Sequence, residues 1–312
     1  MIKIPMWDAS TLPEGSRWVR GADPHPLCGL PLKVKAQTRT DAPWRTQRRT
    51  WHELLATIVA AGERVCPLFL VPFANSRLLK LDWLHVVDLG VAADYIGGLL
   101  WYLVTHKKVA GRNIKARIST LHKSLMAYYD RQPPGEKTSR LPKLSRGVVK
   151  GKKAKRAKMR CGAGMLRHMV PWAMELAETF LDRRAGDDER AAVESSIHCG
   201  MTSLKKCYDA LSDADAFAAD MLLHHSCRFA THAAALEDAL PGTFKVKPKM
   251  HLFLELCMQG GEPAKHWNYR DEDFGGSVAA FGRRRGQRRS MRAFSVACIA
   301  KFCGQPTVRM RP

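Results

Sequence analysis

The longest apolar run in the chain is Leu81–Val104, LDWLHVVDLGVAADYIGGLLWYLV, and its pattern predicts a helix. Leu84, Val87, Val91, Tyr95, Leu99 and Tyr102 recur at three- and four-residue steps, so one helical face is apolar throughout. Asp82 stands where an N-cap belongs and sets His85 beside it in the first turn. Asp88 and Asp94 interrupt the run, which suits it poorly to crossing a membrane. A buried core helix, with a capping Asp and a hydrogen-bonded His, is the plain expectation.

The same periodicity predicts helices over about 51–62, 114–129, 165–184, 188–211 and 213–239. Met165, Met169, Trp172, Leu176 and Phe180 share one face of the third of these, and Asp187-Asp188-Glu189 suits the start of the fourth. Gly242 and Pro248 close the series, and a short apolar run follows from Met250-His251. Residues 1–80 read as an irregular, Pro-rich segment with one helix; Leu68–Pro72 is the best strand candidate. Residues 81–312 read as a continuous helical region, with a basic linker over about 133–162 and an Arg-rich helix over about 277–303. The fold class expected is mainly α.

Charge sharpens this picture. The net charge is +22 over 312 residues, and 46% of the residues are hydrophobic, enough to build a core. Lys137–Met174 holds twelve Lys and Arg without an acid, and Phe274–Pro312 holds nine without an acid, which is all but one of the net charges. Localised positive charge of this kind is the footprint of a polyanion binder. The linker centre, KGKKAKRAKMR at 150–160, reads as too charged to pack; it suits a nuclear-import signal, phosphate contact, or both. The nine cysteines include no C-x-x-C pair, and MIKIPMWDAS has no secretory pattern, so a nuclear location is expected, with the cytoplasm as the alternative.

Two groups of residues carry candidate chemistry. His224, His225, Cys227 and His232, with His198, Cys199 and Cys207 upstream, are metal-ligating types, but they lack the compact spacing that zinc takes. Asp271-Glu272-Asp273 precedes the Arg-rich helix, where acids either cap the helix or hold a divalent cation through oxygen.

Three blocks together resemble the cut-and-paste transposases of the CACTA/Spm type and the related hAT-like enzymes. DWLHVVDLGV at 82–91 is similar to the family's D-x-x-H signature, PKMHLFLEL at 248–256 to its P-K-x-H block, and HWNYRDEDFGG at 266–276 to its W-x-x-x-x-E block. The resemblance implies a helical insertion domain with a small remnant of an RNase H-like α/β core. It puts Glu272 in the place of the third catalytic carboxylate and Asp82 and His85 in the signature pair. Glu272 would ligate Mg or Mn if the protein is active, since this chemistry needs carboxylates converging on divalent metals. The family's first two catalytic aspartates and its Cys-rich segment find no match before Asp82, and Asp-Glu-Asp departs from its usual surroundings of the Glu.

The expectation is therefore the C-terminal part of a DDE transposase, catalytically inactive alone, that binds DNA without a membrane. Lys150, Lys152, Lys153, Lys155, Arg156, Lys158 and Arg160 would contact phosphates, with Arg283, Arg284, Arg285, Arg288, Arg289 and Arg292. The rival readings are an active metal-dependent strand-transfer enzyme using Asp82, Asp88 and Glu272, and a non-enzymatic scaffold for nucleic acid or protein. Oligomerisation is open in all three.

Overall fold

A computed structural model of the chain describes residues 51–60, 62, 65, 80–132, 140–151, 156–182, 188–212, 217–259, 261–265 and 267–269. Every regular element among them is helical, and no strand occurs among them. The chain is mainly α. The irregular opening, the strand candidate at 68–72 and the Arg-rich helix over 277–303 lie outside the described residues.

The chain divides into two units, Met1–His266 and Trp267–Pro312. In the second, the Trp267 and Tyr269 rings meet edge to face at 5.5 Å. The first unit holds α1 (Trp51–Ala60), a π-helical segment (Leu84–Ala92) running directly into α2 (Ala93–Thr105), α3 (Ile114–Asp130) and the short α4 (Arg146–Val149). It continues with α5 (Ala163–Phe180), α6 (Glu189–Asp209), α7 (Ala219–Ala239) and α8 (Pro248–Met258), and a 3-10 turn covers Pro263–Lys265. Local chemistry sets several of these boundaries. Asn113 and Asp188 cap α3 and α6 by accepting from the amides of Ala116 at 2.9 Å and Arg190 at 3.1 Å. Pro248 opens α8, where its missing N–H costs nothing.

The central helix, Leu84–Thr105, is long and apolar enough to cross a membrane, yet 89% of its most apolar stretch is buried inside this protein. It is covered on more than the one face that its periodicity marks. Ile96, Leu100 and Leu103 lie off that stripe and are as inaccessible as Leu84, Val87 and Leu99. α5 and α8 pack against its π-helical half, and α3 and α5 against α2.

A polar seam ties the central helix to α6. Asp88, Tyr95 and Tyr102 are seven residues apart, a spacing that returns to nearly the same side of a helix. Asp88 accepts from the Tyr208 hydroxyl at 2.5 Å, Tyr95 donates to the Ile197 carbonyl at 2.9 Å, and Tyr102 donates to Glu194 at 3.0 Å. Partners at 208, 197 and 194 for residues at 88, 95 and 102 make the two helices antiparallel. Burial raises the Tyr95 phenol well above its ordinary value, and burial with the Glu194 carboxylate pushes Tyr102 up to about 12, so both stay hydroxyl donors.

Candidate functional site

The start of the central helix is built by its own first residues. The Asp82 carboxylate accepts from the His85 amide at 3.2 Å and meets the same residue's ring Nδ1 at 2.5 Å. Asp82 therefore caps the helix and orients His85, as the spacing predicts; its side chain is 13% exposed and that of His85 45%. Asp88, the second carboxylate of the strand-transfer reading, points instead into the core at Tyr208.

Five residues past His85 the helix breaks. Gly90 has φ −111° and ψ −107°, and the Leu84–Ala92 segment is wound as a π-helix around it. A wide or kinked turn of this kind frees backbone carbonyls. Two lysines take them: Lys249 Nζ donates to the His85 carbonyl at 2.5 Å, and Lys158 Nζ to the Leu89 carbonyl at 2.7 Å. A third, Lys247, pairs with Asp94 at 2.5 Å. Glycine leaves room at the kink for Lys249: a Cβ at position 90 would stand 2.8 Å from the Lys249 side chain, which would have to shift, and 3.2 Å from the His85 carbonyl. Two of the three sequence blocks, 82–91 and 248–256, thus meet at Gly90. Glu272, in the third, lies outside the described residues.

Lys158 arrives from the basic linker, which contradicts the expectation that its charge keeps it from packing. Its described part forms a strap. The Lys158 and Arg160 amides donate to the Val149 and Val148 carbonyls at 3.0 and 2.8 Å, and the Met159 amide donates to the Ala93 carbonyl at 2.9 Å. Ala157 and Met159 alternate inward and are buried, so a charged segment packs by giving every second residue to the core. Gly97 lets the strap approach, since a Cβ there would stand 2.6 Å from the Lys158 backbone. Lys150 and Arg146 lie over the Trp101 ring at 4.7 and 5.9 Å, an arrangement favoured by the ring's negative face. Of the phosphate-contact candidates, Lys150, Arg156 and Lys158 are half-buried and Arg160 is exposed. Lys152, Lys153, Lys155, Arg283, Arg284, Arg285, Arg288, Arg289 and Arg292 lie outside the described residues.

Burial lowers the pKa of Lys158, against the pull of Asp94, and lowers that of Lys249, with Lys158 and Lys247 adding repulsion. No protein-family model, curated protein or solved structure matches the chain. The site is therefore read from its own geometry.

The histidines of α7 do not converge on a metal position. His224 and His225 lie edge to face with ring centres 5.1 Å apart, and among the described residues no group of three or more His, Cys, Asp or Glu could hold a metal ion. Burial first, then nearby cations, lowers the pKa of His225 and His232, as expected of packed histidines. Lys247, Lys249 and Asp94 escaped the sequence reading of the site. Lys249 stands in the P-K-x-H block and Lys247 in the basic lead before it, but their meeting with Lys158 depends on pairings far apart in the chain. The adjacent Gly97 and Gly98, inside an apolar helix, were the available signal that another segment comes close.

Proposed function

We propose that this chain is a transposase-derived, DNA-binding nuclear protein, catalytically inactive alone, whose helical body corresponds to the family's insertion domain and carries a remnant of the RNase H-like core. The observation that supports it best is the meeting of the D-x-x-H and P-K-x-H blocks at Gly90, with Lys158 of the basic linker beside them. The charge pattern agrees, with nearly all of the net charge of +22 in two acid-free stretches.

In this reading phosphates supply affinity and base contacts are few. Fluorescence anisotropy with a labelled duplex, repeated over a salt series, tests it. Neutralising several phosphates releases their counterions, so log K falls steeply with log salt, by about 0.9 per phosphate. An affinity that barely changes between low and physiological salt would remove the proposal. Added Mg or Mn, with Glu272→Ala as the comparison, tests inactivity: metal-dependent nicking lost in that variant would replace this reading with the strand-transfer one.

A further inference from the structure

The kink at Gly90 gathers positive charge from three parts of the chain: Lys158 from the strap, Lys247 from the residue preceding α8 and Lys249 from its first turn. Among the described residues, Asp94 is the one carboxylate within ion-pair distance of any of them. Asp82 is engaged with His85. Three ammonium groups thus share one ion-paired carboxylate, with Asp82 acting on Lys249 from farther away. The Leu89 and His85 carbonyls satisfy hydrogen bonds but neutralise nothing. Lys158 and Lys249 are half-buried, where an uncompensated charge is costly, while Lys247 beside them is 36% exposed and paired with Asp94. Burial first, and then the nearby cations, lowers the pKa of Lys158 and Lys249.

The arrangement suits a tetrahedral oxyanion. The carbonyls of His85 and Leu89 lie four residues apart on the π-helical segment, so both lysines are anchored beside the kink. The amines anchored on them are near enough for Lys158 to repel Lys249, and an oxyanion between them relieves that repulsion. Neither lysine must leave its carbonyl to do so, because an ammonium has three donors and each spends one there. Lys247 has a competitor in Asp94, which an incoming anion would displace in part.

We propose that Lys158, Lys247 and Lys249 form a recessed site for one phosphate group, which is a backbone phosphodiester of nucleic acid, with Asp94 as its internal competitor. The site rests on the local geometry; the source of the phosphate rests on the DNA-binding reading above.

The test uses the full chain and two probes. Inorganic phosphate is titrated by calorimetry and by its effect on the thermal midpoint, against chloride at equal ionic strength. Labelled duplex DNA is titrated over a salt series. Phosphate binds saturably, and Asp94→Asn tightens it roughly 5-fold, the effect of one unit charge at about 4 Å through water. Glu175→Gln, which removes an exposed acid paired with Arg131 on α5, leaves phosphate binding nearly unchanged. An equal gain in both variants means diffuse electrostatics and overturns the site. Lys158→Gln and Lys249→Gln each lose phosphate binding and lower the DNA salt slope by about one. Because either lysine variant may be read only if folded, the gain in Asp94→Asn keeps the site falsifiable. Absent phosphate saturation with DNA binding intact overturns the site and spares the DNA reading. Phosphate saturation with a DNA slope unmoved in folded lysine variants overturns the assignment to nucleic acid.

Discussion

Glu194, 1% exposed at one end of the polar seam, accepts from four donors. They are Lys108 Nζ at 2.7 Å, the Asp182 amide at 2.9 Å, the Tyr102 hydroxyl at 3.0 Å and Arg190 Nε at 3.1 Å. Burial alone would raise its pKa; these donors outweigh burial, Lys108 first, and hold it at about 2. A folded value below the ordinary 4.5 means that the ionised form favours the fold. That stabilisation is complete above the ordinary value and is lost as pH falls toward about 2. Glu194→Gln is expected to cost about 3 kcal/mol at neutral pH and to flatten the loss of stability in acid. The figure sits at the low end for a broken buried pair because Lys108 is 21% exposed and Arg190 56%. Urea unfolding of both proteins from neutral pH down to pH 2 reads the effect directly. Equal stability and parallel acid limbs would show that the four donors contribute nothing net.

Among the elements, the strap depends most on a single position. Its backbone crosses α2 where Gly97 has no side chain, and backbone cannot turn aside as a lysine stem can. Gly97→Ala is expected to lift the strap, at a cost of about 1–3 kcal/mol for overpacking, even though alanine is the better helix former. Trypsin measures it, since Lys150, Arg156, Lys158 and Arg160 are cleavage sites that packing protects in part. Cleavage there at the wild-type rate would mean that the strap is held elsewhere. Helices were legible because each carries its own signals: the Asp82 cap, the Asp188 start of α6, the apolar stripe of α5. Their ends were less so; α5 ends at Phe180 rather than 184, and α6 at Asp209 rather than 211. The kink left no local trace, because Gly90 alone resembles any tolerated helix glycine. Its partner is Lys249, and no periodicity reports a partner 164 residues from His85. The strap was misread for a different reason: averaging charge over 150–160 hides the alternation of Ala157 and Met159 with their charged neighbours.

At the scale of the whole molecule, a net charge of +22 sets the folded state against its own repulsion. Raising sodium chloride from low to physiological ionic strength shortens the Debye length from about 30 Å to about 8 Å. The thermal midpoint is therefore expected to rise over that range in differential scanning calorimetry, and a falling midpoint would show that attractive pairs such as Lys108–Glu194 dominate the balance instead. The central helix carries a further consequence for the order of events at the ribosome. Leu84–Thr105 is synthesised well before the α6 and α8 residues that cover it. At about 5–20 residues per second, roughly seven to thirty seconds pass between its emergence and the arrival of Lys249 and Phe253. Until α3 and α5 follow, the nascent chain displays a bare apolar rod of spanning length, and the face that α8 covers stays open for the whole interval, so the cell must shield it or risk its capture by a bilayer.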